Sequence, residues 1–314
     1  MKSVMDQELT DLWAMYNGDS AEILPQIESK SIDLSVFSPP FSSTYTYSPS
    51  DRDLGNVRSE AQFWEQFGFI SSELLRVMKP GRLVAIHVAN LPTYANTHGA
   101  SGRSDFRGAT IRHFEEAGFV YHSEVTIDKN PQAQAIRTHS KGLLFVQMRR
   151  DAAALWQAWA DYLVIMRTPG TNEVPVLSDI DEETWIDWAR PVWPGMPEPS
   201  DHCLQEWSDW LGQQVWYGIR ETDVLGASEG RENDDERHLC PLQLPVIERA
   251  VRLWSNPGEV VLSPFAGIGS EGVGSLRNGR KFVGIELKPS YYRVAVRNLQ
   301  KVALATPSLF EDAL

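Results

Sequence analysis

The chain has 314 residues, 42% of them hydrophobic, which is enough to bury a full core in one large domain or two modest ones. No apolar run approaches the length that crosses a bilayer, and the acidic amino terminus has no signal-peptide pattern, so the sequence predicts a cytoplasmic protein. Only Cys203 and Cys240 are present, which excludes a disulfide framework and a cysteine zinc cluster; we expect no metal.

The net charge of −13 argues against a uniformly basic nucleic-acid-binding surface, but the acidity is local. Residues 171–240 hold 17 acidic side chains against four arginines, so the rest of the chain is neutral. Residues 101–150 carry eight Lys or Arg against five acids. A basic surface that faces DNA is therefore compatible with the composition.

Strand and helix patterns alternate between about residues 30 and 130. In chain order they predict a strand, a helix, a strand, a helix and a strand: Ile32–Phe37, Phe63–Met78, Leu83–Val88, Phe106–Ala117 and Phe119–Ile127. Pro39 and Pro40 follow the first strand, and Gly118 stands just past the second helix, where glycine commonly ends helices.

The last 75 residues repeat this alternation. They predict a helix, a strand, a helix, a strand and a helix: Leu244–Trp254, Val260–Ser263, the segment after Ser270, Lys281–Glu286 and Tyr291–Ala303. Strands that alternate with helices predict an α/β fold with a parallel sheet covered on both faces.

Residues 168–237 differ from the flanking halves, with many prolines and no clean period. They hold six of the eleven tryptophans: Trp185, Trp188, Trp193, Trp207, Trp210 and Trp216. We interpret this stretch as an inserted subdomain whose tryptophans form a small core; stacking on bases is the alternative.

A glycine loop follows the predicted strand Val260–Ser263. The segment Ser263-Pro264-Phe265-Ala266-Gly267-Ile268-Gly269 ends in a G-x-G turn before a helix, and Glu286 closes the next strand 23 residues after Ser263. Glycines let the backbone approach a ligand, and a carboxylate at that separation can take both ribose hydroxyls. The pattern predicts a nucleoside cofactor site; an ordinary glycine turn with a strand-end acid is the alternative.

A second loop, Ser38-Pro39-Pro40-Phe41, stands at the carboxyl end of the strand Ile32–Phe37. In a parallel sheet that end is where ligands bind. The prolines lack N–H donors, so hydroxyl and carbonyl oxygens beside an aromatic ring are available to an amino-bearing heterocycle. A rigid turn with a packed Phe41 is the alternative.

Together the two loops resemble the amino methyltransferases of DNA, with their (D/N/S)-P-P-(Y/F/W) catalytic motif and glycine-loop cofactor motif. The order, catalytic loop first, resembles the beta class, in orphan or phage-type form. The resemblance implies a permuted Rossmann-like methyltransferase fold that uses S-adenosylmethionine. It implies that the cofactor site comprises Asp19, Gln243, Ser263, Phe265, Ala266, Gly267, Gly269 and Glu286. Ser263 replaces the family's aspartate, and Leu244 replaces the lysine of its Q-K-P element.

The resemblance further implies that Ser38, Pro39, Pro40 and Phe41 are catalytic and act on the exocyclic amino group of a flipped base in double-stranded DNA. A leading Ser with Phe favours cytosine N4 slightly over adenine N6. A homodimer is expected, with residues 1–167 and 238–314 as the catalytic and cofactor-binding halves and residues 168–237 for target recognition or dimer formation.

Two other functions remain open from the sequence. RNA or protein-glutamine methyltransferases share a P-P-aromatic loop but place the cofactor loop first, and a degenerate DNA-binding subunit would lack activity. His87 is interpreted as structural rather than catalytic. Phosphate contacts or solvated surface charges are equally compatible with a group of basic residues: Arg103, Arg107, Arg137, His139 and Lys141.

Overall fold

The structure, a computed structural model, describes residues 4–41, 52–93, 99–131, 134–135, 141–144, 146–193, 219, 223–226 and 241–305. Within these residues the chain forms a nine-stranded mixed sheet and a two-stranded hairpin. The strands are β1 Val4–Leu9, β2 Trp13–Gly18, β3 Ile32–Phe37, β4 Met78–Ala89, β5 Leu91–Thr93, β6 Gly102–Ser104, β7 Val120–Ile127, β8 Asp161–Arg167, β9 Val192–Trp193, β10 Val260–Ser263 and β11 Lys281–Glu286.

The order across the large sheet is β1-β2-β11-β10-β3-β4-β8-β7-β9. The five strands from β2 to β4 in this order are parallel to one another. β8 runs antiparallel to β4 and to β7, and β1 runs antiparallel to β2. β10 therefore joins the carboxyl-terminal part of the chain to β3 of the amino-terminal part.

Helices cover both faces of the sheet, as predicted. They are α1 Ser20–Ile23, α2 Glu60–Val77, α3 Phe106–Glu116, α4 Gln147–Arg150, α5 Glu182–Trp188, α6 Leu244–Trp254, α7 Ser270–Arg277 and α8 Pro289–Ala305. Apolar residues of α2 and α3 pack in one core, and those of α6, α7 and α8 in the other. Side chains of β8 alternate between them, with Leu163 and Ile165 in one and Val164 and Met166 in the other.

The prediction of a wholly parallel sheet is wrong at its margins. β1 and β2 form a hairpin that turns where the Thr10 N–H donates to the Trp13 carbonyl at 2.8 Å. β7 reaches β8 through a connection without a long crossover helix in its described residues, so the two strands pair antiparallel. β1 was not predicted because it is mostly exposed and polar and carries no apolar alternation. β2 and β8 were also not predicted, although both are largely buried.

A buried ionic cluster ties β3, β4 and β10 together at their amino-terminal ends. The Asp33 carboxylate accepts from Lys79 Nζ at 2.6 Å, from Arg82 Nη2 at 3.1 Å and from the Val260 N–H at 3.0 Å. Arg82 also pairs with Glu259, which precedes β10. Because Asp33 and Arg82 are buried, loss of either partner would leave an uncompensated charge in the core.

The described part of the acidic segment packs on the main sheet. β9 extends the sheet beside β7, and Trp193 is fully buried in the core that contains α6. The Trp193 indole N–H donates to the Trp188 carbonyl at 2.8 Å, and the Arg249 guanidinium lies 5.0 Å from the Trp193 ring centroid. Trp193 thus belongs to the core formed with α6, α7 and α8 and not to a separate small core. Trp207, Trp210 and Trp216 lie outside the described residues.

Trp193→Ala should lower the free energy of unfolding by about 3 to 5 kcal/mol, because it removes a buried indole from the main core. Trp185→Ala is the matched control from the same segment, since Trp185 is 54% exposed, and its effect should stay within about 0.5 kcal/mol. Urea unfolding of both variants measures the difference. Equal unfolding midpoints would contradict the packing of this segment on the core.

Candidate active site

The residues predicted to act lie where the parallel strands end. Ser263 ends β10, Glu286 ends β11, and Ser38 directly follows β3. Asp19 directly follows β2. Since these four strands are adjacent and parallel, their carboxyl ends share one edge of the sheet, where a ligand would meet all of them.

The glycine loop between β10 and α7 is held in a fixed conformation. Gly267 and Gly269 have φ angles of 52° and 87°, which residues with a side chain rarely adopt. At Gly269 a Cβ would also lie 3.2 Å from the Ala295 Cα of α8. The Ala266 N–H donates to the Ile285 carbonyl at 2.9 Å, and Asn298 Nδ2 donates to the Ile268 carbonyl at 2.9 Å. The backbone of the loop is thus anchored from both sides.

Glu286 is a half-buried carboxylate fixed by two backbone donors. The Gly267 N–H donates to Oε2 at 2.9 Å and the Lys288 N–H to Oε1 at 2.8 Å. Burial raises the pKa of Glu286 to about 7, against the lowering effect of the two N–H donors. The remaining lone pairs of the carboxylate are oriented to accept hydroxyl donors such as those of a ribose.

Several buried polar atoms around the glycine loop have no hydrogen-bond partner among the described residues. They are Gln243 Oε1, Ser263 Oγ, Ser270 Oγ and Ser290 Oγ. Gln243 precedes α6, and the three serines stand at the end of β10 and at the starts of α7 and α8. Buried polar atoms are costly unless they are paired, so these atoms fit a polar ligand that supplies partners.

Asp19 caps the short helix α1, and its Oδ1 accepts from the Ala21 N–H at 2.9 Å. Burial raises the pKa of Asp19. Two neighbouring residues support this edge. Asn17 Nδ2 donates to the Glu286 carbonyl at 2.8 Å, and the Ser20 hydroxyl donates to the Pro264 carbonyl. These contacts hold the end of β2 against the glycine loop.

The loop predicted to be catalytic begins at Ser38, whose hydroxyl donates to the His87 carbonyl of β4 at 3.1 Å. Pro39 is buried, whereas Ser38, Pro40 and Phe41 are half-buried. The Phe41 ring packs at a tilt on Phe106, with 5.9 Å between ring centroids. The loop is therefore supported from β4 and α3.

One aromatic contact links the two loops. The Phe265 ring of the glycine loop lies 5.7 Å from the Phe37 ring, which immediately precedes Ser38. On its other side Phe265 stacks on Phe67 of α2 at 5.9 Å. The Phe265 ring thus links the glycine loop to the start of the Ser38 loop and packs both against α2.

His87 is more than a packed core residue. Its Nε2 lies 3.0 Å from Asp161 Oδ2, and its Nδ1 lies 3.4 Å from Ser38 Oγ. Lys129 Nζ also contacts Asp161 Oδ2, at 2.7 Å. The signal in the sequence was the position of His87 on the strand beside the Ser38 loop; its carboxylate partner, 74 residues later, could not be found from spacing.

The basic residues considered for phosphate contacts divide into two groups. Arg107 pairs with Glu124 at 2.6 Å, and Arg103 donates to the Gln157 carbonyl at 2.6 Å and lies over the Trp159 ring. Both are therefore engaged within the chain. Arg137 and His139 lie outside the described residues, and the Lys141 side chain is not described.

Glu271 is a buried carboxyl that the sequence did not single out. It stands in the first turn of α7, two residues after Gly269, and is 4% exposed. Burial raises its pKa to about 8, its own backbone N–H lowers it, and the negative charge of Glu286 raises it further. Two carboxyls with raised pKa values thus stand beside one glycine loop, an arrangement that favours a cationic ligand.

The described residues hold no group of three or more His, Cys, Asp or Glu side chains arranged to bind a metal ion. Among the same residues, no helix is both long and apolar enough to cross a membrane.

Comparison with known families shows which family the chain belongs to. The sequence pattern of the DNA methylase family, the N6 and N4 methyltransferases, matches residues 32–297. The chain belongs to the DNA methylase family. It is an S-adenosylmethionine-dependent DNA amino methyltransferase, and DNA is its substrate.

Relatives of this methylase cover nearly its whole length. Type II methyltransferase M.BglI of Bacillus subtilis is 25% identical over 91% of this chain and 85% of its own. The cytosine-N4-specific PvuII DNA methyltransferase superposes with a TM-score of 0.61 at 17% identity, over 96% of this chain and 94% of that one.

A protein named as a DNA modification methylase from Thermus thermophilus, in complex with S-adenosyl-L-methionine, superposes with a TM-score of 0.57 at 23% identity, over 92% of this chain and 95% of that one. These likenesses confirm the predicted Rossmann-like methyltransferase fold.

Glu271→Gln should change how the stability of the ligand-free methylase depends on pH. The raised pKa means that ionisation costs more in the folded than in the unfolded chain, so the contribution of Glu271 is lost as pH rises from about 4.5 to 8. At pH 9 the Gln variant should be more stable than the wild type by about 5 kcal/mol, and at pH 4 the two should agree.

Urea unfolding across this pH range measures the difference. Glu115→Gln is the matched control, because Glu115 is exposed on α3 and its replacement should leave the pH dependence unchanged. A constant difference between Glu271→Gln and the wild type at all pH values would contradict a carboxyl that is neutral in the folded methylase.

Proposed function

We propose that this methylase transfers a methyl group from S-adenosylmethionine to the exocyclic amino group of a flipped base at a specific site in double-stranded DNA, with cytosine N4 favoured over adenine N6. The observation that carries the proposal is the adjacency of β3 and β10. It brings the Ser38 loop and the glycine loop together at one edge of the sheet, linked by Phe37 and Phe265.

Cofactor binding is assigned to the glycine-loop side. Glu286 would accept the ribose hydroxyls, and Gly267 and Gly269 allow close approach of the ligand. Asp19, Phe265 and Ala266 line the same edge. The unpaired oxygens of Gln243 and Ser263 fit donors at the methionine end. When bound, S-adenosylmethionine supplies a methyl group on a positively charged sulfur. The carbon of that methyl group is the electrophile, so the reaction needs no metal.

The target base is assigned to the Ser38 loop. An aromatic amino group shares its lone pair with the ring and is a poor nucleophile. If Ser38 Oγ and the Pro39 carbonyl accept its two hydrogens, the nitrogen becomes pyramidal and its lone pair can face the methyl group. This is catalysis by orientation and by stabilisation of developing charge.

Phe41 would hold the flipped base. A base inside the duplex cannot reach the methyl group, and its extrusion costs a few kcal/mol. Stacking on an aromatic ring returns about 1 to 3 kcal/mol. The two amounts are comparable, so the ring of Phe41 decides whether the flipped state is populated. Both target bases offer two N–H donors and a stacking face; a leading serine with Phe41 favours cytosine.

Two variants should separate the two halves of the site. Phe41→Ala should reduce DNA methylation by about 5- to 150-fold, the equivalent of about 1 to 3 kcal/mol of lost stacking, while cofactor affinity stays unchanged, because the ring holds the base and not the cofactor. Glu286→Ala should weaken cofactor binding at least 10-fold. Calorimetry with a non-reactive analogue of S-adenosylmethionine measures binding, and Phe41→Tyr is the conservative control that should keep measurable activity.

Methylation is measured by mass spectrometry of nucleosides from digested plasmid DNA, and the expected product is N4-methylcytosine. A product that is wholly N6-methyladenine would overturn the preferred base and leave the mechanism standing. Near-normal methylation by Phe41→Ala, or full cofactor affinity in Glu286→Ala, would overturn the corresponding assignment.

The segment 168–237 is proposed to serve target recognition or dimer formation in a cytoplasmic bacterial or phage-encoded enzyme, between a catalytic half 1–167 and a cofactor-binding half 238–314. Its carboxylate density opposes flat contact with phosphates. We therefore expect a homodimer in light scattering. A monomer both with and without DNA would contradict the dimer version of this assignment and leave target recognition.

A further inference from the structure

A row of four polar side chains crosses three strands behind the catalytic loop. Ser38 follows β3, His87 lies near the end of β4, and Asp161 begins β8. The distances are 3.4 Å from Ser38 Oγ to His87 Nδ1 and 3.0 Å from His87 Nε2 to Asp161 Oδ2. Lys129 completes the row, with its Nζ 2.7 Å from the same Asp161 oxygen.

The charge on Asp161 determines which ring nitrogen of His87 carries a hydrogen. Burial alone would raise the pKa of Asp161, but the Lys129 ammonium and the His87 hydrogen bond outweigh it and lower the pKa to about 2. An ionised carboxylate can only accept, so His87 Nε2 must carry a hydrogen. In a neutral imidazole Nδ1 is then an acceptor, and it faces Ser38 Oγ.

Ser38 can therefore donate its hydroxyl hydrogen towards His87. The two described acceptors near Oγ are the His87 carbonyl at 3.1 Å and His87 Nδ1 at 3.4 Å. With the hydrogen directed to either of these His87 atoms, the lone pairs of Ser38 Oγ are left for an amino group outside the loop. This orientation is what acceptance of an N–H from the base requires.

We propose that His87, oriented by Asp161, is a positioning residue that directs Ser38 towards the target amino group and takes, through Ser38, the proton which that group loses. The inference rests on the proposed methyl transfer to an exocyclic amine. It assigns a destination to a proton for which serine alone is too weak a base.

The step balances in atoms and charge. The amino nitrogen forms a bond to the methyl carbon while the S–C bond breaks and its electron pair stays on sulfur. The nitrogen then carries one excess proton, which passes to Ser38 Oγ as the serine hydrogen moves to His87 Nδ1. The resulting imidazolium is paired with the Asp161 carboxylate, and His87 later releases its proton to solvent.

The surrounding charges favour His87 as the end of this relay. Asp161 does not accept the proton itself, because its pKa of about 2 keeps it ionised beside Lys129. On the neighbouring strand β7, Glu124 is paired with Arg107 at 2.6 Å. Among the described residues that contact His87, Ser38 and Asp161 are the ones that hydrogen bond to its ring.

Single-turnover methylation at saturating cofactor and DNA, measured from pH 5 to 9, tests the proposal. The wild-type rate should rise with pH and then level off, because the relay needs a free acceptor at His87 Nδ1. His87→Gln should be slowed at least 10-fold at pH 8 and should lose this pH dependence, while cofactor affinity by calorimetry stays unchanged. Asp161→Asn should also slow the reaction, because an amide no longer fixes the Nε2 hydrogen.

A double-mutant cycle separates a relay from a structural role. If His87 acts through Ser38, Ser38→Ala with His87→Gln should be no slower than Ser38→Ala alone. Multiplied losses, or an unchanged pH profile in His87→Gln, would overturn the proposal. If wild-type protein binds cofactor but methylates no DNA, the proposed function itself fails, which is a different outcome.

A spectroscopic measurement covers the case in which His87→Gln does not fold. The protein is labelled with ¹⁵N-histidine, which gives ring signals from seven histidines. The signals of His87 are assigned as those that change most in Asp161→Asn. In the wild type the ring hydrogen should lie on Nε2, which faces Asp161. A hydrogen on Nδ1 would leave no acceptor for the Ser38 proton and would overturn the relay.

Discussion

The pairing of β10 with β3 is the contact on which the rest of the molecule depends. The two strands are more than 200 residues apart, yet Val261 pairs with Leu34 and Leu262 with Ser35. Ser35 Oγ donates to the Leu262 carbonyl at 2.9 Å, and Asp33 fixes the start of β10. This pairing aligns the ends of both strands, and so the glycine loop and the Ser38 loop lie at the same edge of the sheet.

At that edge, several polar atoms on the glycine-loop side lack hydrogen-bond partners among the described residues. Hydroxyl and amide oxygens around the glycine loop remain unpaired among the described residues, and two carboxyls nearby have raised pKa values. The Ser38 side is the reverse, because Asp161 is bonded to both Lys129 and His87. The glycine-loop side therefore has polar atoms left for a ligand, while the Ser38 side is already held by contacts within the chain.

The elements near the two motifs could be predicted from the sequence because each is a short apolar run bounded by a proline or glycine. Ile32–Phe37, Val260–Ser263 and Lys281–Glu286 were predicted with the observed bounds. Both motif loops were predicted, since local residue order defines them. β1 and the His87–Asp161 contact could not be, because the first is a polar edge strand and the second depends on strand order. The place of Trp193 in the main core likewise required the sheet.

The pairing of β10 with β3 has a consequence for how the chain is made. β3 emerges from the ribosome long before β10, and at about 5 to 20 residues per second the 227-residue interval lasts roughly 11 to 45 s. During that time β4 can cover one side of β3, but the other side stays an open strand edge. An open apolar edge pairs with any available strand. The yield of active enzyme in the cell therefore depends on what shields β3 until synthesis is nearly complete.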